Sequence, residues 1–298
     1  MAYGQRARGG NYDRHQMNRR GPAMGGQRRR RRGGGFRWKI ALVFVVGAAV
    51  YYFANQETVP MTGRKQLRTM KPVQEMQLGL QSYNKILSDE RGNVMRSGPI
   101  VDTVGEIGRR IAIAAKPEDP GFDWQFNVIE SEQANAFALP GGYTAVYTGL
   151  IPIAQNEDGL AVIMGHEIGH ALAHHGAERM AQQNMKRIVS AGVMMGSGGM
   201  SGGGQQAVMG IFGGLSQYGF SLPFSRSHES EADYIGLILV ARACYDPREA
   251  PKLWQRMGEH SKSSPPEFQS THPSAATRIS QFEQWMPEAI DVYEKHCR

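Results

Sequence analysis

The sequence predicts an α+β protein that is predominantly helical, carries a small β-sheet and is preceded by one transmembrane helix. Three observations point there. An uncharged apolar run at 40–54 follows an arginine-rich stretch, several later segments place apolar residues at helical spacing, and a short alternating segment at 124–130 precedes a Pro-Gly-Gly turn signal. The chain has 298 residues, which fits one substantial domain, and its 41% apolar content excludes wholesale disorder. No internal repeat is evident. The expected layout is a disordered basic tail at 1–35, a transmembrane signal anchor at 36–55 and one domain at 56–298.

The net charge of +7 invites a nucleic-acid reading, but the charge is unevenly placed. Twelve Arg and Lys fall within the first 39 residues against Asp13 alone, so the remainder is mildly acidic at −4. A global basic footprint is thereby excluded. Residues 1–35 are rich in Gly, Arg, Gln and Asn and have almost nothing to bury, so they cannot offset the entropy of ordering. Ile40 opens fifteen uncharged residues ending at Ala54; with Phe36, Trp38, Tyr51 and Tyr52 as interfacial aromatics, the unit spans about 28 Å as a helix, barely a bilayer core. A buried core helix fits the Arg28–Arg32 flank poorly. A cleaved signal peptide could use Gly47, Ala48 and Ala49, yet the apolar run continues beyond them, which favours retention. The flanking positive charge puts the N-terminus in the cytoplasm and the main domain across the membrane.

Helices are expected at 73–88 and 100–115, the second from Val101, Val104, Ile107 and Ile111, and a strand at 124–130. Asn156 followed by Glu157 and Asp158 reads as a helix start, with a capping side chain and acids in the first turn. The apolar segment from Leu160 then continues without proline through His166-Glu167-Ile168-Gly169-His170. Two histidines four residues apart project from one helical face, about 6 Å apart along the axis, and can share one tetrahedral Zn²⁺. Glu167 lies beside that face and can reach a metal-bound water without being a ligand. Unpaired ionisable groups in so apolar a helix are costly, which argues against plain core histidines. His174 is about 12 Å along the axis from His166 and cannot join that pair; His174 and His175 read as polar supporting residues.

A catalytic zinc needs a third protein ligand and an open position. The richest candidate stretch is His228-Glu229-Ser230-Glu231-Ala232-Asp233, which opens a further apolar helix. Glu229 and Asp233 share a face, one suited to the metal and the other to a histidine Nδ1 proton. On spacing alone Glu231 or His228 competes with Glu229. Residues 192–219 hold eleven glycines among 28 residues, together with Met194, Met195 and Met209, and are expected to form a mobile loop or, more sharply, a lid or membrane-dipping flap. Helices are expected again at 247–257 and 275–285. Cys244 and Cys297 are too few for a disulfide framework; the compartment permits a bond between them, and a free buried Cys244 competes with it.

Taken together, the segments NAFALPGGYTAVYTGLI, HEIGHALAHHGAER, SRSHESEAD and THPS resemble the membrane-associated zinc endopeptidases of the HtpX and CAAX prenyl protease type, above all the OMA-type quality-control proteases. The resemblance implies a gluzincin-like zincin fold and one Zn²⁺ per chain, with Glu229 as third ligand and Asp233 supporting a ligand histidine. Asn135, Ala136 and Phe137 match the edge strand that pairs with an extended substrate. His272 and Arg278 match an H-P-x-x-x-x-R element, whose histidine either stabilises the transition state or sits on the metal and blocks it. Many bacterial relatives carry an early lipoprotein cysteine, which is absent before Cys244.

The expected function is a membrane-anchored zinc endopeptidase acting on misfolded or misassembled envelope proteins, in the bacterial inner membrane with its catalytic domain periplasmic. Its partners are polypeptide substrates and the lipid bilayer, with oligomeric state left open. Nucleic acid is not an expected partner, because an Arg-rich tail beside an anchor serves topology and anionic lipid. The competing function is a chaperone-like or adaptor protein whose metal site is occluded.

Overall fold

The computed structural model describes residues 37–197, 225–260, 272 and 277–297. The expected basic tail and the larger part of the glycine-rich segment lie outside these residues. Helix α1 (Trp38–Ala54) covers the expected anchor. Its 17 residues extend about 26 Å, short of a bilayer core of about 30 Å. Among the described residues no helix is long and apolar enough to cross a membrane. The expected transmembrane helix is therefore present as an apolar helix of less than spanning length. Its Val43, Val50 and Phe53 are exposed.

A two-stranded hairpin, β1 (Gln56–Thr58) and β2 (Lys65–Leu67), leads into α2 (Pro72–Asp89). Next come β3 (Val94–Met95) and α3 (Pro99–Ala114), then β4 (Gln125–Ile129), β5 (Ala136–Leu139) and β6 (Tyr143–Tyr147). The four-stranded sheet has the order β3-β4-β6-β5, with β4 and β6 parallel and the other pairs antiparallel. Successive side chains leave opposite faces of a strand, and the burial follows that period. Val128 and Val146 join the main core with Ile107 and Ile111 of α3, while Ile129, Ala145 and Tyr147 pack on the other face with Ile86 and Leu87 of α2.

After the short α4 (Ile151–Ala154), α5 (Glu157–Leu172) runs through the centre of the molecule. The Asn156 side chain caps it by accepting from the Gly159 amide at 2.7 Å. Every residue from Gly159 to Leu172 is buried, as befits a helix apolar on all sides. The apolar run does not continue as one helix. His174 takes a left-handed φ of 54°, α5 ends, and a separate helix, α6 (His175–Ser197), starts. Helix α6 extends through Ser197, so the first residues of the glycine-rich segment are helical rather than loop. It packs against α1, with the Arg37 amide donating to the Gly196 carbonyl at 2.8 Å.

The chain closes with α7 (Arg226–Arg242), α8 (Glu249–His260) and α9 (Thr277–His296), longer than the expected segments. Cys244 and Cys297 form a disulfide that ties the end of α9 to the end of α7, resolving the pairing the sequence leaves open.

Candidate metal centre

Helices α5 and α7 meet backbone to backbone. A Cβ on Gly236 would lie 2.7 Å from the His166 amide nitrogen, and one on Gly169 would lie 2.8 Å from the Ala232 carbonyl oxygen. Contacts this close need glycine, and they carry the His166 face of α5 directly against the Glu229 face of α7. His166, His170, Glu229 and His272 then form a buried group whose ligand atoms all lie within 4.8 Å of one another.

The interatomic distances are uniform. His166 Nε2 lies 3.1 Å from His170 Nε2, 3.2 Å from His272 Nδ1 and 3.5 Å from Glu229 Oε2. Glu229 Oε1 lies 3.4 Å from His170 Nε2 and 3.1 Å from His272 Nδ1. A tetrahedral site with zinc–ligand bonds of about 2.0–2.1 Å has edges of about 3.3 Å. One assignment of the ring protons agrees. His166 Nδ1 meets Asp233 Oδ1 at 2.9 Å, and His170 Nδ1 meets His175 Nδ1 at 2.8 Å. With both Nδ1–H groups donating there, both Nε2 atoms present lone pairs toward a carboxylate. In that tautomer the three converging acceptors are matched by a cation, so the residues present fit a divalent metal.

Electrostatics separates the two helical histidines. Burial pushes His170 well below the ordinary imidazole value, favouring the neutral form that a metal needs. Burial pulls His166 the same way, but the neighbouring Asp233 and Glu229 carboxylates outweigh it and the net shift is upward. Burial would raise the Glu229 carboxyl, yet its contacts with His166, His170 and His272 hold it far below the carboxylate range.

Glu167 is buried with its Oε1 atom lacking any hydrogen-bond partner, and His272 Nε2 is 3.5 Å away. Burial is the main reason its carboxyl is pushed up to about 7, while His272 and the Ala138 backbone amide pull it down. That amide comes from the sheet edge. Tyr147 donates to the Asn135 carbonyl and Gly142 to the Leu139 carbonyl, so odd-numbered residues of β5 face β6. Strand alternation then turns the backbone groups of Ala136 and Ala138 toward the free edge. Of the three residues expected to line a substrate, Ala136 offers its backbone there, Asn135 is engaged with β6, and the Phe137 ring packs on Tyr83 and Tyr147.

Arg278, near the start of α9, closes the opposite side. Its guanidinium donates to Glu229 Oε2 at 3.1 Å and from Nε to Asp233 Oδ2 at 2.6 Å, and it lies over the Trp254 ring at 3.3 Å. Sequence reasoning missed Trp254, which has the helical spacing of a core residue with Ala250, Leu253 and Met257. It also missed Ala138, whose contribution is a backbone amide. His174, by contrast, turns away from the group and meets Glu75 Oε1 at 3.0 Å.

Comparison with known proteins bears on this geometry. Residues 102–286 match the family described as Peptidase family M48. The chain is 36% identical to mitochondrial metalloendopeptidase OMA1 of Schizosaccharomyces pombe over 257 residues, covering 85% of this chain and 73% of that protein. It is 29% identical to the mitochondrial metalloendopeptidase OMA1 of Homo sapiens over 87% of this chain and 52% of the relative. It is 26% identical to the beta-barrel assembly-enhancing protease of Escherichia coli over 81% of this chain and 50% of the relative.

Proposed function

The chain belongs to peptidase family M48, and on that premise we propose that it is a membrane-anchored, zinc-dependent endopeptidase that removes misfolded or misassembled envelope proteins. The observation that carries the reading is the near-tetrahedral set of acceptors on His166, His170 and Glu229 with the buried Glu167 carboxylate, its Oε1 free of hydrogen bonds, beside it. His166, His170 and Glu229 are the three ligands, and Zn²⁺ held by them supplies Lewis acidity that activates water and polarises the scissile carbonyl. Glu167 takes the proton from the attacking water and returns it to the leaving amide nitrogen as the C–N bond breaks. Asp233 holds His166 in the Nδ1–H tautomer, and Arg278 pins the Glu229 and Asp233 carboxylates from the far side. An extended polypeptide adds to the free edge of β5, where Ala136 turns its backbone outward between Asn135 and Phe137, and so lies beside Glu167.

His272 lies at the fourth corner of the ligand set. A working hydrolase needs that corner for water, so in this reading His272 gates the site and swings out when substrate enters. The same observation favours the second reading, a client-binding protein with an occluded metal site. Glu167 argues for the enzyme, since a pure binder has no use for a buried base beside the metal group.

The proposed layout keeps a basic tail at 1–35, an anchor at 36–55 and the peptidase domain at 56–298. The exposed apolar side chains of α1, among them Val43, Val50 and Phe53, support bilayer contact, and the Cys244–Cys297 bond suits an oxidising compartment such as the periplasm. The test of the substrate class is a proteomic comparison of membranes that contain the wild type or Glu167→Gln. Envelope polypeptides should accumulate, and co-purify, with the variant. Indistinguishable membrane proteomes would contradict the reading.

A further inference from the structure

Behind the metal group lies a second buried cluster that the mechanism does not use. His175, the first residue of α6, is fully buried and places Nε2 2.8 Å from Glu231 Oε2. Glu231 in turn accepts from Arg64 Nε at 2.7 Å and from the Thr62 hydroxyl. Arg64 also grips Glu178, with Nη2 at 2.7 Å and Nη1 at 3.1 Å from its two oxygens, and Glu178 meets His228 Nε2 at 3.1 Å. The His175 and His228 rings stack at 4.5 Å. Thr62 and Arg64 belong to the turn between β1 and β2, a few residues after α1.

The donor order is fixed by chemistry. For His170 to offer Nε2 to a metal, its proton must sit on Nδ1, and Nδ1 meets His175 Nδ1 at 2.8 Å. His175 Nδ1 must then accept, so its own proton sits on Nε2 and is donated to Glu231. Metal-bound histidines ordinarily give their second N–H to a carboxylate, as His166 does to Asp233. For His170 a second imidazole is interposed, and the carboxylate is one ring further away, anchored by the hairpin.

We propose that His175, Glu231 and Arg64 are positioning residues that fix the tautomer and ring orientation of His170, making the β1–β2 hairpin a working part of the metal centre. The chain of donors runs from His170 through His175 to Glu231, and Arg64 with Thr62 holds its end. This inference rests on the metal reading above. It separates the two acidic partners of Arg64: Glu231 is on the path to His170, whereas Glu178 supports the stacked His228.

The test measures Zn²⁺ affinity of the full-length chain by competition with a chelator, together with the d–d spectrum of the Co²⁺-loaded form and the melting temperature of the metal-free form. Glu231→Gln and His175→Phe should each weaken Zn²⁺ binding about 10–100-fold and shift the cobalt bands, in the range seen when supporting partners of metal ligands are removed. Glu178→Gln should change affinity less than about threefold. Two path variants guard against one failing to fold, and either suffices. Wild-type affinity and spectrum in a folded path variant, or equal losses in Glu231→Gln and Glu178→Gln, would overturn the proposal while leaving the metal reading intact. A wild-type chain that binds no Zn²⁺ would overturn both.

Discussion

Glu167 is the residue on which the chemistry turns, and its environment makes a measurable demand. A general base must be ionised to act, and burial pushes this carboxyl up to about 7 from an ordinary value near 4.5. A bound cation beside it pulls in the opposite direction. Activity should therefore be present at neutral pH and decline as pH falls through a limb lying between about 4.5 and 7, where this carboxyl protonates. A pH profile of kcat/KM for a peptide substrate checks this, and activity level down to pH 4 would contradict it. At this scale much of the group was legible in sequence. The four-residue spacing of His166 and His170 and the carboxylates of the 229–233 stretch carry their geometry with them once each is placed on a helix. The choice among Glu229, Glu231 and His228 was not, because it depends on how two helices rotate against each other. In the structure Glu229 faces the histidine pair, while Glu231 and His228 face the cluster behind it.

At the scale of elements, the α5–α7 contact does the assembling. Gly236 lies where any side chain would press on the His166 backbone, so Gly236→Ala should force the helices apart and spread the ligand set. Zn²⁺ affinity should fall by at least tenfold, with a loss of about 1–3 kcal/mol in stability from overpacking; a calorimetric titration and a urea midpoint read both. Unchanged values would mean that the helices approach less closely than described. The Cys244–Cys297 bond ties α9, which carries Arg278, to α7, which carries Glu229. Replacing both cysteines by alanine should cost about 2–4 kcal/mol through the greater freedom of the unfolded chain, seen as a lower urea midpoint that reductant no longer shifts. A variant as stable as the oxidised wild type would contradict that role. Helical periodicity found most of these elements, but not the break after Leu172. The residues 160–182 contain no proline, and only the left-handed turn at His174 shows that two helices are joined there.

For the whole molecule, hydrophobic patterning along the chain identified the helical class and small sheet but could not supply sheet order. The parallel β4–β6 pairing brings together segments separated by β5, and β5 is left as the outer strand beside Glu167. The apolar run at 40–54 likewise forms a helix, yet one of 17 residues packed on α6, a partner that local composition does not reveal. The proposed organisation joins three parts: an apolar helix at the membrane side, a hairpin that reaches from it toward the metal group, and a helical core that holds the metal beside a free strand edge. Its central claim is that this core hydrolyses peptide bonds with a metal and Glu167. The direct measurement is cleavage of an unfolded polypeptide by the purified full-length chain, with chelator, with chelator followed by Zn²⁺, and with Glu167→Gln. Cleavage should stop with chelator, return with Zn²⁺, and fall at least a hundredfold in Glu167→Gln while that variant keeps its metal. Cleavage that persists in the chelated protein or at wild-type rate in Glu167→Gln, or no cleavage by the Zn²⁺-loaded wild type, would contradict the account.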